Sequence, residues 1–220
     1  MTACHILSRG GIALPHNTFF RLPAEKREKL LTCAMEEFAR VPYPDASINQ
    51  IVRASGISRG GFYLYFIDKE DLFTYLLSQY AQRFIQLLSG LLDAHQGALF
   101  PAFESLFDQV QALFRSPEGG RGDALALEVL RQNAGLHCFM FHGRASSRDL
   151  AEQILPHIDF QSLWLEHRED QEDMLHILLH TAGPLLYEGL LAEDPAPVRA
   201  RYRDRLRILA RGMEKPRSPQ

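Results

Sequence analysis

Between residues 58 and 69 the chain reads Ser58, Arg59, Gly60, Gly61, Phe62, Tyr63, Leu64, Tyr65, Phe66, Ile67, Asp68, Lys69. The run gathers hydrogen-bond donors around two residues that have no side chain. A guanidinium can read guanine or hold a phosphate, while tyrosine and serine hydroxyls and an ammonium suit phosphate oxygens. Two glycines in a helical turn cost about 1 kcal/mol each relative to alanine, so folding alone does not favour them. Close approach of the backbone to a nucleic acid would. The plainer alternative stays open, because a short two-helix turn with a serine cap is common in all-helical proteins. Tyr63 and Tyr65 also suit half-buried aromatic positions.

A second constellation lies near the other end. Glu172, His176 and His180 recur at four-residue steps on one helical face, a spacing that can hold a metal. It motivates an alternative from another class, a helical metal-dependent enzyme using those three residues. No second ligand pair accompanies them, and neighbouring leucines suit a buried stripe, so no metal and no cofactor are expected. No catalytic residues are assigned, since there is no Gly-rich phosphate loop, nucleophile elbow or zinc-protease helix motif. Cys4, Cys33 and Cys138 are odd in number and fit neither a disulfide framework nor a zinc finger. Reduced thiols in a cytoplasmic protein are expected.

These residues need elements to position them. Pro23 and Glu25 suit a helix start, and Leu30, Leu31, Ala34, Met35 and Phe38 give it one apolar stripe. Pro42 and Pro44 stop it. Ser47-Ile48-Asn49-Gln50 reads as a capping box, opening a short helix with Ile48, Ile51 and Val52 inside. Gly56 ends that helix where positive φ is wanted. Ser58 caps the next one, which turns Phe62 and Phe66 inward. Asp68 caps a long helix that fades near His95. Beyond it, helices are expected near 99–115, 123–141, 146–166 (interrupted at Pro156), 169–192 and 197–213. No stretch sustains a period of two.

The 220 residues, 46% hydrophobic and 23% charged, suffice for one sizeable core or two small ones. The net charge of −3 argues against coating nucleic acid along the whole surface, but not against a local reading face. Between residues 19 and 75 every base is matched by an acid, so a basic patch must come from geometry. No apolar run approaches the roughly 18 residues needed to cross a bilayer. Residues 1–18, with Gly10, Gly11 and Pro15, read as a flexible arm with no secretory signal.

From Ala46-Ser47-Ile48-Asn49-Gln50-Ile51-Val52 through Gly56-Ile57-Ser58-Arg59-Gly60-Gly61-Phe62-Tyr63-Leu64-Tyr65-Phe66 to Lys69 and Leu72, the chain resembles the head of the TetR/AcrR family of transcriptional regulators. The likeness covers about sixty residues, near 24–84, with the motif at 47–66. It implies an all-α protein: a three-helix helix-turn-helix head, then a larger helical ligand-binding and dimerisation domain over 85–220. It implies a cytoplasmic DNA-binding regulator and not an enzyme, a homodimeric repressor released from a palindromic double-stranded operator by a small apolar effector. Ser47, Ser58, Tyr63, Tyr65 and Lys69 would then contact the DNA backbone, with Arg59, Gly60 and Gly61 at base edges. Gly61 departs from the threonine or serine of many members, which removes one polar contact. It is also the only hint of a third reading, an interaction module with a vestigial head.

In the body, Val198, Tyr202, Leu206, Leu209 and Met213, with Leu175, Leu179, Leu186 and Leu190, form stripes suited to a four-helix dimer interface or to the monomer's own core. Phe103, Phe107, Phe139 and Trp164 stand for the apolar effector pocket that the resemblance implies, or for plain core.

Overall fold

A computed structural model of the chain describes residues 15–115, 120–133, 150–165 and 167–215. The fold is all-α. Among the described residues no strand forms, and one isolated antiparallel bridge joins Leu163 to Glu214. No described helix is long and apolar enough to cross a membrane. The chain divides into two compact units.

The first unit takes in the chain up to Ala81 and a later helix, α7. It opens with a single turn, α1 (Asn17–Phe20). Then α2 (Ala24–Arg40) follows Pro23, with Glu25 in its first turn. It ends where Pro42 forces Val41 into extended backbone, φ −140° and ψ 155°. A 3-10 turn over Tyr43–Asp45 leads to α3 (Ile48–Ser55), which stops at Gly56 with φ 74°. A side chain there would be strained, as the sequence anticipated. Next come α4 (Arg59–Tyr63) and the long α5 (Lys69–Ala94). Leu30, Phe38, Ile51, Phe62, Phe66 and Leu72 are all fully buried, and they lock α2, α3 and α4 onto the start of α5.

Helix α7 (Arg121–Gln132) packs on α2, with Ala126 and Val129 buried and Arg121 paired to Glu36. The sequence had put this segment in the body. Its period of 3.6 revealed a helix, but periodicity does not say which neighbour covers the apolar face.

In the second unit, α6 (Leu99–Arg115) packs against both α8 (Arg168–Leu191) and α9 (Ala196–Met213). A helical run over 150–154 ends at the 3-10 turn Leu155–His157, the interruption expected at Pro156. Phe103, Phe107, Leu175, Leu179 and Tyr202 lie inside, and the Tyr202 hydroxyl donates to the Phe103 carbonyl at 2.7 Å.

One expectation needs correction. The arm ends earlier than residue 18: Pro15 is buried and α1 begins at Asn17. Of the two readings of the α8 and α9 stripes, the chain's own core accounts for Val198, Tyr202, Leu206, Leu175, Leu179, Leu186 and Leu190, which are buried, while Leu209 and Met213 are half-buried. A stripe's spacing gives its helix face but not what covers it. The large apolar side chains that α8 and α9 expose are Ile177 and Ile208.

Candidate nucleic-acid interface

Helix α4 is short and glycine-rich, so its cap matters. Ser58 Oγ accepts from the Gly61 N–H at 3.0 Å, satisfying a donor the helix cannot. Phe62 is fully buried and fixes the helix to the core, which leaves Ser58, Arg59, Gly60 and Tyr63 on the outside. Tyr63 is 41% exposed. A Cβ on Gly60 would meet nothing within 4 Å. One on Gly61 would come within 3.1 Å of Ile57 Cγ2 and Ser58 Oγ. The two glycines therefore differ: a side chain at Gly61 would press on Ile57 and Ser58, and one at Gly60 would press on nothing. Arg59 donates to Asn49 Oδ1 on α3 at 2.7 Å and stands 6.0 Å from the Tyr63 ring centre.

The capping box expected at Ser47–Gln50 does not form. The Ser47 side chain makes no cap bond, and the Ser47 N–H donates to Glu37 Oε1 at 2.9 Å. Glu37 is only 6% exposed and also grips Arg40 through two 2.9 Å bonds. A carboxylate on α2 thus does the work assigned to Gln50, with a stronger, charge-assisted bond. The signal in the sequence was an acid beside Phe38 on an otherwise apolar face. At the start of α5 two carboxylates cap the backbone: the Asp71 N–H donates to Asp68 Oδ1 and the Ile67 N–H to Asp71 Oδ2, both at 2.9 Å.

Lys69, expected at a phosphate, is occupied internally. Its Nζ donates to the carbonyls of Tyr43 (2.7 Å), Pro44 (3.0 Å) and Ala46 (2.9 Å), using all three ammonium hydrogens. It also lies 4.7 Å from the Tyr43 ring centre. Burial pulls this ammonium below its ordinary range, and burial pushes the Tyr43 hydroxyl up to about 12. The Tyr43 N–H donates to Asn133 Oδ1 at 2.8 Å. The proline-rich link before α3 is therefore held by α2, α5 and the end of α7. In the sequence these prolines read as the stop of the preceding helix, and neither Glu37 nor Asn133 was singled out.

The segment before α2 completes the site. Phe19 is fully buried, with ring centres 5.0 Å from Phe66 and 5.3 Å from Tyr75. The His16 N–H donates to the Tyr65 carbonyl at 2.9 Å, and the Thr18 hydroxyl donates to the Leu64 carbonyl. These bonds cap the exit of α4 and hold half-buried Tyr65 in place. The adjacent Phe19 and Phe20 were the available signal.

The remaining candidates do not come together. Glu172 pairs with Arg168 at 3.1 Å, and His180 Nδ1 bonds the His176 carbonyl at 2.8 Å. Among the described residues no three His, Cys, Asp or Glu side chains are placed to hold a metal ion, so the Glu172, His176, His180 alternative loses its basis. Phe103 and Phe107 are buried on α6, whereas Trp164 is 58% exposed and carries Lys215 Nζ 5.6 Å from its ring centre. Trp164 thus does not join the apolar interior, because backbone bonds to Met213 and Lys215 hold its segment on the surface. Phe139 lies outside the described residues, as do Cys4 and Cys138.

The family described as "Bacterial regulatory proteins, tetR family" matches residues 30–76. The HTH-type transcriptional regulator YdgC of Bacillus subtilis is 37% identical over 68 residues, 31% of this chain and 35% of the relative. The HTH-type transcriptional repressor AcnR of Corynebacterium glutamicum is 34% identical over 79 residues, 35% of this chain and 42% of its own. The match thus spans well under half the length of these curated relatives. Among solved structures, a TetR-family transcriptional regulator from Pectobacterium atrosepticum superposes with TM-score 0.60 at 20% identity, covering 90% of this chain and 100% of that one. A second, from Mesorhizobium loti, gives TM-score 0.52 at 14% identity, covering 87% and 98%. These likenesses establish the fold along most of the chain, and sequence identity supports the head.

Proposed function

We propose that the chain, whose residues 30–76 match the tetR family of bacterial regulatory proteins, is a sequence-specific DNA-binding transcriptional regulator acting in the cytoplasm. The observation that carries this reading is the outer face of α4. Ser58, Arg59, Gly60 and Tyr63 are exposed together on a helix whose other side is pinned by Phe62. Gly60 has open space beside it and no internal reason to be glycine, which suits a backbone that must approach DNA. In this reading Ser47, Ser58, Tyr63 and Tyr65 contact phosphates, and Arg59, Gly60 and Gly61 lie at base edges. A phosphate contact by Lys69 requires it to exchange one of its carbonyl partners.

The protein acts as a homodimer on a palindromic operator, since one short helix reads few bases and half-sites lie about 34 Å apart. It acts as a repressor. A small apolar ligand, taken up beside Phe103 and Phe107, favours the state that does not bind DNA. That requires different ligand affinities in the two states.

The test is a gel-shift with the purified protein and fragments of its own genome. Sequence-specific retardation is expected, and Tyr63→Ala should weaken it at least tenfold with the helical circular dichroism unchanged. Retardation that is equal for all fragments overturns the reading.

A further inference from the structure

Arg59 leaves the first turn of α4 into solvent, and its restraint comes from the preceding helix. Asn49 is exposed on α3 and accepts an Arg59 hydrogen at Oδ1, 2.7 Å from Nη1. A guanidinium has five donors and no acceptor, so the Asn49 oxygen must face it and the Asn49 NH2 must face away. The Tyr63 ring, one helical turn further along, flanks the guanidinium at 6.0 Å. Among the described residues no carboxylate pairs with Arg59. Its charge is therefore not neutralised within the fold, while its direction is set by a neutral amide and a ring. One of its five hydrogens is spent on Asn49, and four remain for a ligand.

This arrangement discriminates between the two tasks open to Arg59. A phosphate can be met from many directions, so a freely rotating arginine serves. Guanine O6 and N7 demand a two-pronged fork in one plane. Holding the fork in advance lowers the rotamer entropy lost on binding. We propose that Asn49 is a specificity-determining positioning residue, which orients Arg59 to read a guanine in the major groove. The proposal rests on the DNA-binding reading above.

The experiment selects binding sites from duplexes with a randomised central stretch, using the full-length protein, Asn49→Ala, Arg59→Ala and the double variant. Wild type should select a half-site containing a fixed guanine. Asn49→Ala should reduce the preference for that guanine about tenfold while leaving the slope of affinity against salt unchanged. Arg59→Ala should abolish the same preference, and the double variant should be no worse than Arg59→Ala, because Asn49 acts through the arginine. Both residues are exposed, so circular dichroism should match wild type. If wild type selects no sequence, the DNA-reading function itself fails. If wild type selects a site and Asn49→Ala keeps the guanine preference, the positioning role of Asn49 is overturned and the function stands. If Arg59→Ala instead weakens all duplexes equally and reduces the salt slope by about one, Arg59 is a phosphate contact and the proposal falls.

Discussion

In the first unit, polar side chains that go inside are spent on backbone. Glu37 takes the Ser47 N–H, Lys69 binds three carbonyls and Asn133 takes the Tyr43 N–H. Even Asp71, whose Oδ1 has no partner, uses Oδ2 on the Ile67 N–H. The second unit treats its interior differently. Among the described residues, neither buried amide atom of Gln111 on α6 finds a hydrogen-bond partner, nor does the buried His176 Nε2 on α8. Charge-assisted bonds to backbone fix a loop to a single geometry, which a surface that must match DNA requires. An unspent amide donor and acceptor destabilise a core but remain available to something that enters it. The first unit spends its buried polar atoms on backbone, and the second leaves an amide and a ring nitrogen unspent, which suits the effector site proposed there.

The largest test of that contrast is Phe19→Ala. The ring is fully buried against Phe66 and Tyr75, so its loss should cost about 3–5 kcal/mol. Thermal unfolding should show a markedly lower Tm, with DNA affinity falling in parallel. An unchanged Tm would mean that α1 is an ornament of the head and not part of its rigid frame.

Next is Lys69→Met, which keeps the stem and removes the ammonium. Losing three bonds to carbonyls should destabilise the protein by about 2 kcal/mol in urea unfolding. If stability holds and only the salt dependence of DNA binding falls, Lys69 serves phosphates rather than the link, and the rigidity of the head needs another source.

How much of this was legible depends on what each signal encodes. Gly56, Ser58 and the Phe62/Phe66 pair were read correctly, because caps and periodic burial are local properties. Segment limits such as 99–115 followed from prolines and glycines. The internal partners of Lys69 and the role of Glu37 went unseen because those partners lie 23 to 26 and 10 residues away. The polar types gave no sign of which backbone they would meet. Trp164 looked like pocket lining, as large aromatics usually do, and its exposure is set by the pairing of its segment with the end of α9. The tight spot at Gly61 and the open one at Gly60 are indistinguishable as letters.

A smaller effect, of opposite sign, is expected in the second unit. Gln111→Met keeps the volume and removes the orphaned amide, so stability should rise by about 1–2 kcal/mol without change in DNA affinity. A loss of stability instead would show that the amide is satisfied in solution, and the contrast between the units would narrow.

The smallest effect returns to the head and separates folding from recognition. Gly60→Ala places a methyl group where nothing lies within 4 Å, so it should only remove backbone freedom from the unfolded chain. That predicts a gain of about 0.5–1 kcal/mol. The same methyl on Gly61 meets Ile57 and Ser58 Oγ at 3.1 Å, so most of that gain should disappear. In DNA binding the order should reverse. Gly60→Ala adds bulk to the outer face and should weaken the complex several-fold, whereas the Gly61 methyl spends its bulk against its own turn. Unfolding midpoints and gel-shift affinities of the two variants are enough to check this. If Gly60→Ala stabilises the fold and binds DNA as well as wild type, the open face of α4 is not where the backbone approaches the duplex.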